Sequence, residues 1–191
     1  MKEKKLKRLF TLPNMLTCLR MVGAASLLFF ALPSSAFYAV YAISGITDML
    51  DGFLARAMKQ ESEFGSRLDS VADLLFYSVM IFKVFPFLLE QMPMWLWYLV
   101  GAIVLIRAGS YFVAFCKYHR FASLHTYMNK LTGLLIFPVP YLLNWSFVNI
   151  YYTIICISAG VASSEELLIH LREPSYNERK KTIFDGRRKG S

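Results

Sequence analysis

Long apolar runs alternate with short polar segments along most of this chain. The runs fall at residues 15–32, 36–58, 64–89, 94–116, 131–143 and 147–169. Most of them have the roughly 20 residues that a helix needs to cross the hydrocarbon core of a bilayer. The pattern predicts an all-α integral membrane protein in which residues 1–172 form a single domain of six transmembrane helices. The sequence FPVP at 137–140 predicts a kink in the fifth helix.

The two ends of the chain are polar and highly charged. Residues 1–12 begin with MKEKKLKRLF, which predicts a basic amphipathic helix lying at the membrane interface. A cleaved signal peptide is a poorer interpretation, because Asn14, Thr17 and Arg20 interrupt the start of the apolar run that follows. Residues 173–191 contain few apolar positions, and we expect them to form a mobile cytoplasmic tail.

The composition agrees with a membrane location. Of the 191 residues, 56% are hydrophobic, and the mean hydropathy of +0.43 is too high for an ordinary soluble domain. The formal net charge is +8, but the basic residues lie in the connections and at the ends. This distribution indicates an acidic membrane surface as the partner and not nucleic acid. The three cysteines lie in apolar runs without metal-type spacing, which favours free thiols.

The connections between the apolar runs predict the orientation of the chain. Lys and Arg lie in the N-terminal segment, in the loops at 58–67 and 117–130, and in the tail, whereas the opposite turns carry only Glu90. Lys83, in the outer half of the third run, is the exception. Because basic connections stay on the inner side, we expect a protein of the cytoplasmic membrane with both termini facing the cytoplasm.

Four aspartates lie at helical spacings within the second and third apolar runs: Asp48, Asp51, Asp69 and Asp73. The members of each pair are three or four residues apart and therefore project from one face of a helix. The connecting loop is short, so we expect the two helices to be antiparallel neighbours whose carboxylates meet. An aspartate in a membrane costs about 2.5–3.5 kcal/mol on insertion scales, so a positive charge must accompany this cluster. Four hard oxygen donors suit Mg²⁺ or Mn²⁺, and two such ions suit phosphoryl chemistry.

The residues around the aspartates extend this hypothesis. Gly52 leaves room for a bulky ligand at the helix backbone, and the Arg56 guanidinium is suited to a diphosphate. Gly65 permits close contact between helices. On charge and spacing alone, the cation or proton site of a membrane transporter remains an open alternative.

Together these residues form a longer pattern. Eight residues over 26 positions follow the spacing Asp48-x2-Asp51-Gly52-x2-Ala55-Arg56-x8-Gly65-x3-Asp69-x3-Asp73. This spacing resembles the complete signature of the CDP-alcohol phosphotransferase family. Six spans, with the signature across the second and third, also resemble that family, so the likeness covers most of the chain.

The resemblance implies a homodimeric integral membrane enzyme. Such an enzyme transfers the phosphatidyl group of a CDP-linked lipid to an alcohol hydroxyl and releases CMP, with Mg²⁺ or Mn²⁺, two ions in all, as cofactor. The resemblance makes Asp48, Asp51 and Asp69 metal ligands, while Asp73 contacts a metal and accepts the proton of the acceptor. It assigns the CDP site to Gly52, Ala55 and Arg56, with Gly65 alongside. The active site is expected at the cytoplasmic interface.

Further residues bear on the acceptor alcohol. PNMLTCLR at 13–20 resembles the opening of the first span in the phosphatidylglycerophosphate synthase branch, which suggests that Asn14, Thr17 and Arg20 line the site. Arg107 lies inside the fourth run, where an arginine is expected to face the bundle interior and an anion. Lys130 lies in HTYMNKLTG, which resembles the G-K-x-x-T segment of the same branch except that Asn129 replaces the glycine.

These residues favour an acceptor that carries a phosphate. Arg107, Lys130 and Arg120 are expected on the cytoplasmic side, where they would contact the acceptor or the lipid phosphate. We therefore expect CDP-diacylglycerol as the donor and glycerol 3-phosphate as the acceptor, which gives phosphatidylglycerophosphate. Phosphatidylglycerol (to give cardiolipin), inositol, inositol phosphate and serine remain alternative acceptors.

Overall fold

The computed structural model describes residues 11–58, 62–119, 126–173 and 182–183. The secondary structure of these residues is helical, without strands. We number the helices in chain order as α1 Leu12–Ser26, α2 Ser35–Ala57, α3 Glu63–Gln91, α4 Met94–Tyr118, α5 Tyr127–Ile136, α6 Val139–Leu142 and α7 Val148–Arg172. Residues 1–10 of the interfacial helix predicted at 1–12, and most of the tail predicted at 173–191, lie outside the described residues, while Leu12 begins α1.

Among the described residues, three helices are long and apolar enough to cross a membrane: Phe64–Gln91, Met94–Tyr118 and Val148–Arg172. They lie where the third, fourth and sixth spans are predicted. Helices α1 and α2 lie at the first two predicted spans and contain 15 and 23 residues. At the fifth predicted span the chain forms α5 and the one-turn α6, interrupted at Phe137 and Pro138 within FPVP. A proline ring cannot continue an α-helix without distortion, which accounts for the break.

The chain divides into two compact units, Met1–Leu89 and Glu90–Ser191. In the first unit, α1 begins at the Thr11 cap, whose hydroxyl accepts a hydrogen bond from the Asn14 backbone N–H at 3.5 Å. Tyr41 of α2 stacks on Phe76 of α3, with ring centroids 5.6 Å apart. Asp48, which follows Tyr41 along α2, meets Asp69 and Asp73, which precede Phe76 along α3. The two helices are therefore antiparallel, as the short loop predicts.

Helix α1 buries its polar side and exposes its apolar side. Asn14, Thr17 and Arg20 are at most 6% exposed. The exposed apolar side chains of the same helix are Leu12, Met15, Leu19 and Val22. This arrangement is the reverse of a soluble amphipathic helix and suits a helix whose outer face meets lipid.

In the second unit, α7 packs against α4 and α5. A Cβ atom added at Gly160 of α7 would lie 3.8 Å from Ile103 Cγ1 of α4, so the two helices are neighbours at this point. The Lys117 ammonium donates hydrogen bonds of 3.0 Å to the carbonyls of His170 and Leu171 in the last turn of α7. Lysine at this position satisfies carbonyl groups that the helix itself leaves without partners.

Candidate active site

Three of the four signature aspartates converge in the first unit. Asp48 on α2 and Asp69 and Asp73 on α3 each offer a carboxylate oxygen, and these atoms all lie within 4.8 Å of one another. The four-residue spacing on α3 places Asp69 and Asp73 one above the other on a single helix face. Between 43% and 48% of each side chain is exposed, so the cluster is accessible from outside.

Four further signature residues are described only by their backbone. Asp51, Gly52, Ala55 and Arg56 belong to α2, but their side chains lie outside the described part of the structure. Arg120 lies outside the described residues altogether. The predicted roles of these five residues stay predictions.

Arg20 of α1 supplies the positive charge within the cluster. Its guanidinium pairs through Nη1 with Asp48 and through Nη2 with Asp69, and its Nη1 lies 3.4 Å from Asp73 Oδ1. The Arg20 side chain is only 1% exposed. The sequence argument required a cation at this point and favoured a metal ion, whereas a side chain of the chain itself contacts all three carboxylates.

The donor set still fits a divalent cation. The three carboxylates carry three negative charges against the single positive charge of Arg20, so the cluster keeps a net negative charge that attracts a divalent ion. Carboxylate oxygens are the ligands that Mg²⁺ and Mn²⁺ prefer, and a cluster reachable from outside permits exchange of the ion.

Asn14 and Thr17 lie on the same buried face of α1 as Arg20. The Thr17 hydroxyl donates to the Pro13 carbonyl at 3.0 Å, which is a contact within the helix. Asn14 lies against Gly65 at the start of α3, where a Cβ atom would come within 2.8 Å of Asn14 Oδ1. Gly65 therefore admits the Asn14 side chain between α1 and α3, in agreement with the close helix contact expected at this glycine.

Arg107 belongs to a buried polar network in the second unit. Its Nη1 donates to Asn129 Oδ1 at 2.8 Å and lies 3.2 Å from Glu166 Oε2. Its Nε donates to the Tyr111 hydroxyl at 3.2 Å. The Glu166 side chain is fully buried, while that of Arg107 is 31% exposed. The anion that Arg107 faces within the described residues is thus a carboxylate of its own chain.

Asn129 connects α5 to this network. Its amide nitrogen donates to Glu166 Oε2 at 3.1 Å, and its backbone N–H donates to the hydroxyl of the Thr126 cap. The side chain that replaces the glycine of the related segment therefore binds both charged partners. Lys130, the next residue, is exposed.

Sequence reasoning did not single out Glu166 or His170. Glu166 lies within the sixth predicted span, so the signal that identified the aspartates, a carboxylate in an apolar run, was present. The His170 Nε2 atom lies 3.9 Å from Glu166 Oε1, one helical turn further along α7. Nothing local in the sequence pairs these residues with Arg107, which is 59 positions away from Glu166.

Comparison with known proteins gives relatives of two names. The CDP-diacylglycerol--glycerol-3-phosphate 3-phosphatidyltransferase of Cereibacter sphaeroides is 40% identical over 70 residues, 34% of this chain and 32% of the relative. The protein of the same name from Pseudomonas fluorescens is 38% identical over 100 residues, 50% of this chain and 49% of the relative. Human cardiolipin synthase (CMP-forming) is 40% identical over 75 residues, 37% of this chain and 25% of the relative.

These alignments span between a quarter and a half of the length of the curated relatives. No solved structure matches the chain. The sequence model of one family, described as CDP-alcohol phosphatidyltransferase, matches residues 10–163. That stretch is most of the chain and includes the whole aspartate signature, so the chain belongs to the CDP-alcohol phosphatidyltransferase family.

Proposed function

We propose that this protein is a transferase of phospholipid synthesis that moves the phosphatidyl group of CDP-diacylglycerol to the hydroxyl of glycerol 3-phosphate. The products are phosphatidylglycerophosphate and CMP. Membership of the family and two relatives named for this reaction support the proposal. The observation that carries it is the convergence of the Asp48, Asp69 and Asp73 carboxylates from two helices.

Asp48, Asp69 and Asp73 would hold the divalent cation, Mg²⁺ or Mn²⁺, and Asp51 would join them from α2 to complete a site for two ions. When bound, the ions supply positive charge that offsets the diphosphate and the departing CMP. Convergence of the three carboxylates supports these assignments.

Asp73 would accept the proton of the acceptor hydroxyl as the phosphoryl group transfers. It makes the longest of the three contacts with Arg20, at 3.4 Å. Its carboxylate lies in the same cluster as those of Asp48 and Asp69, beside the proposed ion site, which supports a role as general base.

Further residues are proposed to bind the rest of the two substrates. Gly52, Ala55 and Arg56 would shape the CDP site, with Gly65 placed beside it. The candidates for contacts with the acceptor or the lipid phosphate are Asn14, Thr17, Arg20, Arg107, Arg120 and Lys130. The exposed third of the Arg107 side chain and the exposure of Lys130 support contacts with an anion from outside the chain.

In the proposed arrangement, the protein crosses the membrane six times and forms a homodimer. Both termini and the active site would face the cytoplasm, because CMP must leave to water while the lipid tails remain in the bilayer. The distribution of Lys and Arg in the connections supports this orientation. Three apolar helices of spanning length support an integral membrane protein.

Cardiolipin synthesis is the second candidate, and human cardiolipin synthase among the relatives favours it. The donor is the same, but phosphatidylglycerol replaces glycerol 3-phosphate as the acceptor. Inositol, inositol phosphate and serine are further acceptors that this chemistry accommodates.

A panel of acceptors tests both candidates. Purified protein would be mixed with CDP-diacylglycerol, Mg²⁺ and one of glycerol 3-phosphate, phosphatidylglycerol, inositol, inositol phosphate or serine. CMP release and the lipid product would be measured by chromatography. We expect CMP and phosphatidylglycerophosphate with glycerol 3-phosphate; release with phosphatidylglycerol alone would establish the second candidate. No CMP with any acceptor would favour a cation-binding transporter instead.

A further inference from the structure

We propose that Arg20 is a built-in counter-ion that competes with the divalent cation for the aspartate cluster. The inference rests on the proposed function, because it concerns the metal site that the function requires. It assigns Arg20 a positioning role before the cation binds, in addition to the contact with the acceptor or lipid phosphate that the sequence predicts.

The first step is the position of the guanidinium. Arg20 contacts Asp48 from α2 and both Asp69 and Asp73 from α3, through the Oδ1 atom of each. One carboxylate oxygen of each residue lies within 4.8 Å of the other two, so the guanidinium and a cation bound to all three carboxylates would compete for the same group of oxygens. Metal ligation of the same oxygens at roughly 2.0–2.2 Å leaves no room for both.

The second step is electrostatic. Three carboxylates this close repel one another, and the guanidinium of Arg20, whose side chain is 1% exposed, offsets this repulsion. The cluster therefore stays assembled without a cation. The same positive charge opposes a divalent ion at the site, because two like charges a few ångströms apart repel.

The third step concerns Arg20 after the cation has displaced it. Its charge would then lie buried on α1 beside Asn14 and Thr17 without the carboxylates that now balance it. Leaving a buried charge without its partner is costly. A phosphate oxygen of the CDP-linked donor would replace the lost carboxylates, and a guanidinium binds phosphate well. Cation binding and binding of the diphosphate would thus favour each other through Arg20.

The test measures Mn²⁺ binding, so it needs no turnover. The dissociation constant of Mn²⁺ would be determined by electron paramagnetic resonance for the wild-type protein and for Arg20→Met in detergent. We expect Arg20→Met to bind Mn²⁺ about tenfold more tightly or better, because the competing charge is absent. In chelator, the same variant should unfold at a lower temperature than the wild type, and added Mn²⁺ should raise its unfolding temperature more.

Three further proteins make the result decisive. Arg172→Met removes one exposed positive charge from the end of α7 and should bind Mn²⁺ like the wild type. Asp69→Asn should lose most Mn²⁺ binding, which identifies the signal with this cluster. Arg20→Gln repeats the comparison if Arg20→Met does not fold.

The outcomes separate the inference from the proposed function. Equal or weaker Mn²⁺ binding by the Arg20 variants would overturn the inference, since a purely structural arginine would give that result. The proposed metal site would not be affected by this outcome. Absence of Mn²⁺ binding by the wild type would overturn both. Tighter binding together with lower stability in chelator is the result that only a competing counter-ion produces.

Discussion

Gly65 at the start of α3 lies directly against Asn14 of α1, so that a Cβ atom at position 65 would approach Asn14 Oδ1 to 2.8 Å. Asn14 is 6% exposed and has little space in which to move aside. The contact between Asn14 and Gly65 fixes the separation of α1 and α3. Arg20 and Asp69 follow these two residues along their helices. Contact between a side chain and a bare backbone thus positions the arginine that binds the aspartates.

Gly65→Ala should therefore disturb the packing of α1 on α3. We expect a loss of about 1–3 kcal/mol in the free energy of unfolding, the usual cost of overpacking, and a lower melting temperature in detergent. Gly101→Ala is the matched control, because a Cβ at Gly101 meets no atom within 4 Å while both substitutions favour a helix. Equal melting temperatures for the two variants would contradict this packing role.

Asp69→Asn should lower the rate of CMP release by more than about a hundredfold, since metal ligands are at least as sensitive as the residues that orient them. The substitution keeps the shape of the side chain, so the variant should elute from size exclusion like the wild type. Glu90→Gln, an exposed carboxylate at the end of α3, serves as the control and should keep full activity. Near-normal CMP release by Asp69→Asn would remove Asp69 from the proposed metal site.

Arg107→Met should destabilise the second unit, because Glu166 is fully buried and loses its ion-pair partner. Breaking such a pair costs about 3–5 kcal/mol. Adding Glu166→Gln removes the buried charge, so the double variant should unfold at a higher temperature than Arg107→Met alone. Thermal unfolding of the four proteins in a double-mutant cycle measures the coupling. Additive losses would show that Arg107 and Glu166 do not stabilise each other.

Lys83→Met should destabilise the segment between α1 and α2. The Lys83 ammonium donates to the carbonyls of Leu28 at 2.8 Å and Phe30 at 3.0 Å, two groups that follow the end of α1. Hydrogen bonds to a charged group are worth about 1.5–3 kcal/mol. Lys83→Arg keeps the charge and the donors, and its melting temperature should fall less than that of Lys83→Met. A Lys83→Met variant as stable as the wild type would be evidence against this capping role.

The bonds of Lys83 also explain why it departs from the orientation pattern. The sequence marks it as a basic residue on the predicted outer side of the membrane. In the structure its charge compensates two backbone carbonyls of the preceding connection. A count of basic residues predicts the orientation of a membrane protein only where those residues are not held by contacts within the fold. The sequence pattern alone does not reveal such contacts.

Much of the fold followed from local pattern. Helical spacing placed Asp69 and Asp73 on one face, and the short loop after α2 predicted antiparallel helices that bring Asp48 to them. FPVP predicted the interruption before α6. These predictions succeed because helix periodicity, proline geometry and the length of a loop act over a few residues.

The sequence by itself determined the helical class, the family and the aspartates of the candidate site, because each is encoded in apolar run length or in residue spacing along one or two helices. Only the tertiary structure decided which residues meet across long separations: Arg20 with Asp69, Asn14 with Gly65, and Arg107 with Glu166. A buried charge requires a partner, but any opposite charge nearby satisfies that requirement. Which partner it finds depends on how the helices pack, and that is a property of the folded chain.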